Sequence, residues 1–248
     1  VLLPKLFNHP FTYSFDSKLF KKFDQGELVT VPFGKNHSEL GVVWDEIKKT
    51  KKKIRIKNIE NKIPKIKLNK KMIKFINWFS KYNITSKGMV LKMCLGNKTN
   101  IIAKENNNDE KILNKKKYTL NSEQLKSLND LKSFGKNFKV SVLQGLTGSG
   151  KTLVYFERVK QILAQKKQVL ILLPEIFLTN QFKERFLDFF GFKPAIWHSK
   201  ISKKNRKKIW HGIIQDKIKI IIGARSSLLL PFKDLGLIIV DEEHDPSY

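Results

Sequence analysis

Residues 138–152 read Phe138-Lys-Val-Ser-Val-Leu-Gln-Gly-Leu-Thr-Gly-Ser-Gly-Lys-Thr152, a short apolar run that breaks into a glycine-rich loop. Gly145 to Thr152 fits the phosphate-binding pattern G-x-x-x-x-G-K-[ST], and Leu153 to Gln165 continues with apolar side chains at helical spacing. Strand, loop and helix in that order are the context this pattern requires. Glycines at 145, 148 and 150 let backbone N–H groups wrap around phosphate oxygens, with Thr147 and Ser149 in the same loop. Lys151 then neutralises the outer phosphates and Thr152 offers its hydroxyl to a metal. The ligand so predicted is ATP with Mg²⁺.

Outward from the loop, short runs rich in Val, Ile and Leu alternate with helical patterns. The runs are Phe138–Leu143, Gln168–Leu173, Pro194–Trp197, Lys217–Ile222 and Leu235–Val240, with Leu153–Gln165 and Asn180–Phe190 among the helices between them. That alternation predicts an α/β domain built on a parallel sheet covered on both faces. The last run opens Leu237-Ile-Ile-Val-Asp-Glu-Glu-His244 and so carries Asp241 and Glu242 to the carboxyl end of a strand. Alone, such a cluster is ordinary surface charge. Ninety residues downstream of Lys151 it reads as the second half of one nucleotide site, with Asp241 on the metal beside Thr152 and Glu242 polarising the attacking water. Lys151, Asp241 and Glu242 are the catalytic candidates.

The first 96 residues have another texture. The alternating run Glu27–Val31, closed by Pro32-Phe-Gly34, and the run Leu40–Trp44 predict two strands joined near Lys35–Ser38. A helix is predicted from Asn69 to Lys81, with Ile73, Ile76, Trp78 and Phe79 on its core face. From Lys48 to Lys74 stand 13 basic residues and one acid, Glu60, a run that suits either a solvated surface or a stripe tracking phosphates; Lys53 is its candidate DNA contact. Residues 97–119, rich in Asn, Lys and Glu, read as a linker.

The whole chain carries 49 basic and 22 acidic residues, net +27. Lys, Asn and Ile are used heavily throughout, so part of that charge reflects composition; the rest calls for an anionic partner. Residues 1–119 hold net +17 and residues 120–248 net +10. The single cysteine, Cys94, excludes an internal disulfide or a cysteine-based metal cluster, and a reducing cytoplasm is the simplest compartment. No apolar stretch reaches the ~18 residues of a membrane span, so no membrane partner is expected.

The tetrad Asp-Glu-x-His is that of superfamily 2 helicases and translocases, and Leu120-Asn-Ser-Glu-Gln124, 27 residues before Lys151, resembles their element in which Gln reads adenine. Asn121 or Ser122 as helix N-cap, with Glu123 in the first turn, fits the same residues. Leu172-Leu-Pro-Glu-Ile-Phe-Leu-Thr179, Gly223-Ala-Arg-Ser-Ser-Leu-Leu-Leu-Pro-Phe232 and the ending Asp241–Tyr248 resemble the PriA family of bacterial replication-restart helicases. So do Leu3-Pro4, Phe11-Thr-Tyr13 and Val31-Pro-Phe-Gly34, which are similar to that family's opening domain.

The resemblance implies a mainly-β domain over 1–96 that binds a DNA 3′ end, then the first RecA-like helicase lobe over 120–248. It further implies 3′ to 5′ movement on single-stranded DNA, forked DNA, primosome proteins and single-strand-binding protein as partners, and a pocket for the 3′ end at Phe11. Thr179, Arg225 and Ser226 would touch the single strand. Thr12 stands where the family commonly has Asp, and the 24 residues between Leu95 and Leu120 leave no room for the family's winged-helix domain. The family's remaining lobe-1 strand, second lobe with its arginine finger, and cysteine-rich zinc module would follow Tyr248; zinc is expected only there, and residues 1–248 alone are expected not to turn over ATP. Two other readings stay open: a double-strand DNA translocase subunit, and a non-catalytic fork-binding scaffold.

Overall fold

A computed structural model describes residues 1–35, 37–45, 56–96, 118–132 and 138–246. In chain order the elements begin with β1 (Glu27–Phe33), β2 (His37–Val42), β3 (Asn61–Lys67), α1 (Lys70–Tyr82), α2 (Lys87–Leu95) and α3 (Ser122–Lys132). There follow α4 (Lys151–Ala164), β4 (Gln168–Leu172), α5 (Asn180–Phe190), β5 (Ala195–Trp197), α6 (Lys203–Ile214), β6 (Ile220–Gly223) and β7 (Leu235–Val240). Two compact units result: residues 1–105, 202–217 and 229–233 form one, and residues 106–201, 218–228 and 234–248 the other.

In the first unit β1 pairs antiparallel with β2 and with β3, giving the order β2-β1-β3. The alternation of β1 puts Val29 and Val31 inward, where they meet Val1, Leu3 and Ile59 under a partly buried rim of Phe11, Tyr13, Phe23 and Phe33. Gly34, at φ 77°, makes the reversal into β2 that a side chain would resist. Asn69 caps α1 by accepting from the Met72 N–H at 2.8 Å, and its amide donates to the Phe232 and Lys233 carbonyls, which ties residues 229–233 into this unit. α6 belongs here too: the Trp210 indole, 1% exposed, donates to the Cys94 carbonyl at 2.8 Å.

Trp78 departs from the core position expected of it. The buried face of α1 is Met72, Ile73, Ile76 and Ser80, while Trp78 is 56% exposed and stacks on Tyr82. It lies five residues from Ile73 and two from Ile76, off the i+3, i+4, i+7 row that shares a helix face.

The second unit holds a parallel sheet in the order β5-β6-β4-β7. Val169, Ile171, Ile220 and Ile222 pack with Phe156, Val159, Phe186 and Phe190 of α4 and α5. Leu170 and Ile221, which point the opposite way, are also fully buried, so both faces are covered as the unbroken apolar runs require. The run Phe138–Leu143 is not a strand. No residue of it pairs among the described residues, and Phe138, Val140 and Val142 are exposed. An alternating segment becomes a strand only when its backbone groups find a ladder partner; among the described residues β7, at the end of the sheet, pairs with β4 alone.

Candidate functional site

The register of the parallel sheet ends its strands together. Leu172 of β4 lies opposite Gly223 of β6 and Val240 of β7, and Trp197 of β5 opposite Gly223. Whatever follows those residues therefore gathers on the carboxyl rim, where open α/β sheets bind ligands. After β4 come Glu175 and Thr179, after β6 Arg225 and Ser226, and after β7 Asp241 and Glu242.

Asp241 continues the β7 ladder by donating its N–H to the Leu172 carbonyl at 3.0 Å. Its Oδ2 accepts from the Tyr155 hydroxyl of α4 at 2.7 Å, and the Thr152 side chain hydrogen-bonds the same phenol. The two residues predicted to meet one metal ion thus converge on a single hydroxyl. Burial, together with the Asp241 charge and its hydrogen bond, pushes the Tyr155 phenol above its ordinary value of 10.0, so it stays a proton donor to the carboxylate. Two oxygen ligands from protein, with the remainder from phosphates and water, is how Mg²⁺ is commonly held; Thr152 and Asp241 fit that role. No group of three or more His, Cys, Asp or Glu side chains placed to hold a metal occurs among the described residues.

The glycine loop leads into α4 with Gly148 at φ 82° and Gly150 at φ 84°, both in the left-handed region. Gly145, Thr147, Gly148 and Ser149 are exposed, and no side chain caps α4, whose Leu153 N–H donates to the Gly150 carbonyl at 2.9 Å. The Lys151 ammonium is folded back on the Gly145 and Leu146 carbonyls at 2.6 and 3.1 Å. Gln124 serves two structures at once. It forms a reciprocal capping box with Asn121, at 3.0 and 2.8 Å, which settles the N-cap on Asn121, and its amide donates to the Ser149 carbonyl of the loop at 3.0 Å.

Glu242 adopts φ 53°, its N–H donates to Asp241 Oδ1 at 3.1 Å, and its carboxylate lies 3.6 Å from His244 Nε2. Thr179 caps α5 by accepting from the Phe182 N–H at 3.2 Å. Arg225 and Ser226 are exposed in the 3₁₀ turn Arg225–Leu229, anchored beneath by buried Ser227, whose hydroxyl donates to the Ala224 carbonyl. Glu175 receives the Ser199 N–H at 2.9 Å and the Ser199 hydroxyl at 3.1 Å, which hold its carboxyl below the usual range.

In the first unit Phe11 sits in a ring cluster, 4.9 Å edge-on from Phe7 and 5.7 Å from Phe33, with His9 at 5.2 Å; Thr12 beside it is exposed. The Lys5 ammonium lies 5.0 Å over the Phe33 ring, and the Lys57 ammonium donates to the Gly34 carbonyl at 2.9 Å. Lys53 lies outside the described residues, as does the segment 97–117. Lys57, in the same basic run, reaches the hairpin turn at Gly34.

Sequence reading did not single out Tyr155 or Lys57. Tyr155 had the signal of any apolar helix residue, and Lys57 one lysine among many.

Residues 117–248 match the family described as type III restriction enzyme, res subunit, and residues 1–96 match the 3′DNA-binding domain (3′BD) of PriA. The chain belongs to the res-subunit helicase family, as a PriA-like member. It is 39% identical over its whole length to the replication restart protein PriA of Rickettsia conorii, of which it spans 37%. It is 46% identical over 52% of its length to PriA of Helicobacter pylori, covering 21% of that protein, and 43% identical over 44% of its length to PriA of Bacillus subtilis, covering 14%. No helix among the described residues is long and apolar enough to cross a membrane.

Proposed function

We propose that this PriA-like chain binds forked DNA and engages ATP as part of a cytoplasmic replication-restart helicase that moves 3′ to 5′ along single-stranded DNA. The observation that carries this reading is the convergence of Thr152 and Asp241 on the Tyr155 hydroxyl beside an open glycine loop.

The loop's backbone N–H groups and the start of α4 bind the phosphates, because both present donors and partial positive charge. Lys151 leaves the Gly145 and Leu146 carbonyls for the outer phosphates. Bound through Thr152 and Asp241, Mg²⁺ would neutralise charge developing on the transferred phosphoryl group. Tyr155 holds the Asp241 carboxylate in one orientation. Glu242, one residue on, polarises the attacking water. Gln124 has to release Ser149 or Asn121 to read adenine, which couples base binding to the loop's geometry.

On the same rim, Thr179, Arg225 and Ser226 contact the strand, so changes at Asp241 reach DNA through β4, β6 and β7. Phe11 and Thr12, with Lys57 at the nearby turn, receive the 3′ end. Primosome proteins and single-strand-binding protein are the proposed protein partners. A double-strand translocase would use the same nucleotide site; the match of residues 1–96 to a 3′DNA-binding domain favours the restart reading over it.

Fork binding tests the reading. Forks ending in a 3′-hydroxyl on the nascent strand bind more tightly than forks ending in 3′-phosphate, and Phe11→Ala abolishes the difference. Equal affinity for both ends in the parent protein removes the end-binding role.

A further inference from the structure

We propose that a lysine-lined cleft in the first unit binds the phosphate backbone of double-stranded DNA, at a site separate from the Phe11 cluster. The proposal rests on the DNA-binding function proposed above. The cleft has a volume of about 950 Å³, and Lys65, Lys67, Lys70, Lys217 and Lys233 line it, all exposed. They come from three stretches of chain: the end of β3 with the start of α1, the residues after α6, and residues 229–233, all parts of one unit. Asn69 fixes one wall by donating to the Phe232 and Lys233 carbonyls, and the Lys217 N–H fixes another by donating to the Gly212 carbonyl at 2.8 Å. The backbones that carry these charges are therefore held in place.

Lysine is common throughout the chain, yet elsewhere in this unit it meets acid: Lys62 lies 2.7 Å from Glu27 and Lys5 3.0 Å from Glu39. Among the described residues lining the cleft Asp24 is the single acid, and Lys67 and Lys22 share it at 3.0 and 3.8 Å. Like charges gathered in one concavity repel one another in the folded state, and a cleft of one sign concentrates the opposite charge. Small-molecule pockets are walled mostly by apolar and aromatic side chains. Among the described residues lining this cleft none is aromatic, and the apolar ones, Leu68 and Ile214, are 1% and 8% exposed. The same lining lacks the rings on which single strands stack and the apolar or aromatic anchor on which protein partners depend. Lysine ammonium groups on flexible stems neutralise phosphates, contacts that position a duplex without reading its bases. Charge and lining together select duplex backbone as the occupant.

The probe is an internally labelled DNA dumbbell, closed at both ends, which offers a duplex with no 3′ terminus. The full chain is titrated with it by anisotropy at several salt concentrations, beside a single-stranded oligomer ending in a 3′-hydroxyl. Each phosphate contact contributes about 0.9 to the slope of log affinity against log salt. Changing Lys65, Lys70 and Lys217 together to Gln therefore flattens the dumbbell slope by roughly 2.7, while the 3′-ended oligomer keeps most of its affinity. The same change at Lys126, Lys166 and Lys193, exposed lysines of the second unit, leaves the dumbbell slope as it is in the wild type. Lysine acetylation of the unaltered chain, read by mass spectrometry, gives a second measure: the dumbbell protects Lys65, Lys70, Lys217 and Lys233. An unchanged slope in the cleft variant, or equal flattening in both variants, overturns the cleft. A dumbbell that does not bind while the 3′-ended oligomer does overturns the duplex site and leaves the end-binding reading standing. Binding of neither DNA overturns both. Protection of the cleft lysines by polyglutamate but not by the dumbbell overturns the proposal in favour of an acidic protein partner.

Discussion

Replacing Tyr155 by Phe removes one hydroxyl and keeps the ring, which packs 5.2 Å from Phe156 in the core of the second unit. What disappears is the 2.7 Å bond to Asp241 from a residue 6% exposed. Hydrogen bonds to charged groups contribute about 1.5–3 kcal/mol. Asp241 is only half-buried, water can take over its Oδ2, and the Glu242 N–H still serves Oδ1, so the lower end applies, about 1.5 kcal/mol. Urea unfolding followed by circular dichroism would show a lower midpoint at unchanged slope.

The pH dependence has a definite sign. Because the folded Tyr155 value lies above the ordinary 10.0, chiefly through burial, the folded state holds this proton more tightly than the unfolded chain. Its contribution is complete below pH 10.0 and is lost as pH rises beyond it. The wild type therefore loses stability above that pH more steeply than Tyr155→Phe. A variant within about 0.5 kcal/mol of wild type, with the same alkaline slope, refutes the claim that this hydroxyl holds Asp241.

Gly150→Ala places a methyl 2.4 Å from the Gln124 amide at a left-handed φ, so it strains the loop and displaces Gln124; a fluorescent ATP analogue should bind about tenfold more weakly, a loss of ~1.4 kcal/mol. Gly88→Ala brings a methyl to 2.0 Å from the Lys5 carbonyl and should destabilise the first unit by about 1–3 kcal/mol in thermal or urea unfolding. The Cys94 thiol is 1% exposed and pushed up to about 12 by burial, so a disulfide reagent at pH 8 should not label the native protein and should label it fully in denaturant.

The parts of the site that depend on local order could be read in the chain. A glycine loop before a helical pattern, an apolar run ending in two acids, and a helix N-cap at Asn121, one of the two residues offered for it, each stand where the pattern put them. What escaped depends on distant contacts. Tyr155 acquires its role from Asp241, 86 residues away, and nothing near it in sequence distinguishes it from a core aromatic. Phe138–Leu143 alternates as a strand should, but pairing is a property of a neighbour. α6 follows β5 in the chain, yet the Trp210 bond to Cys94 spans 116 residues and places the helix in the first unit. Trp78 illustrates a phase error: a rough helical spacing with Ile73, Ile76 and Phe79 suggested core, while the i+3, i+4 row through Met72, Ile73, Ile76 and Ser80 excludes it.

Single-turnover ATP hydrolysis by the full-length parent protein, with and without fork DNA, compares wild type with Glu242→Gln most directly. If Asp241 and Glu242 complete the site begun by Lys151 and Thr152, the variant retains Mg²⁺-dependent ATP binding and loses fork-stimulated hydrolysis by roughly 10³-fold, in the range attributed to single charged groups in phosphoryl transfer. Hydrolysis at the wild-type rate by Glu242→Gln contradicts the assignment.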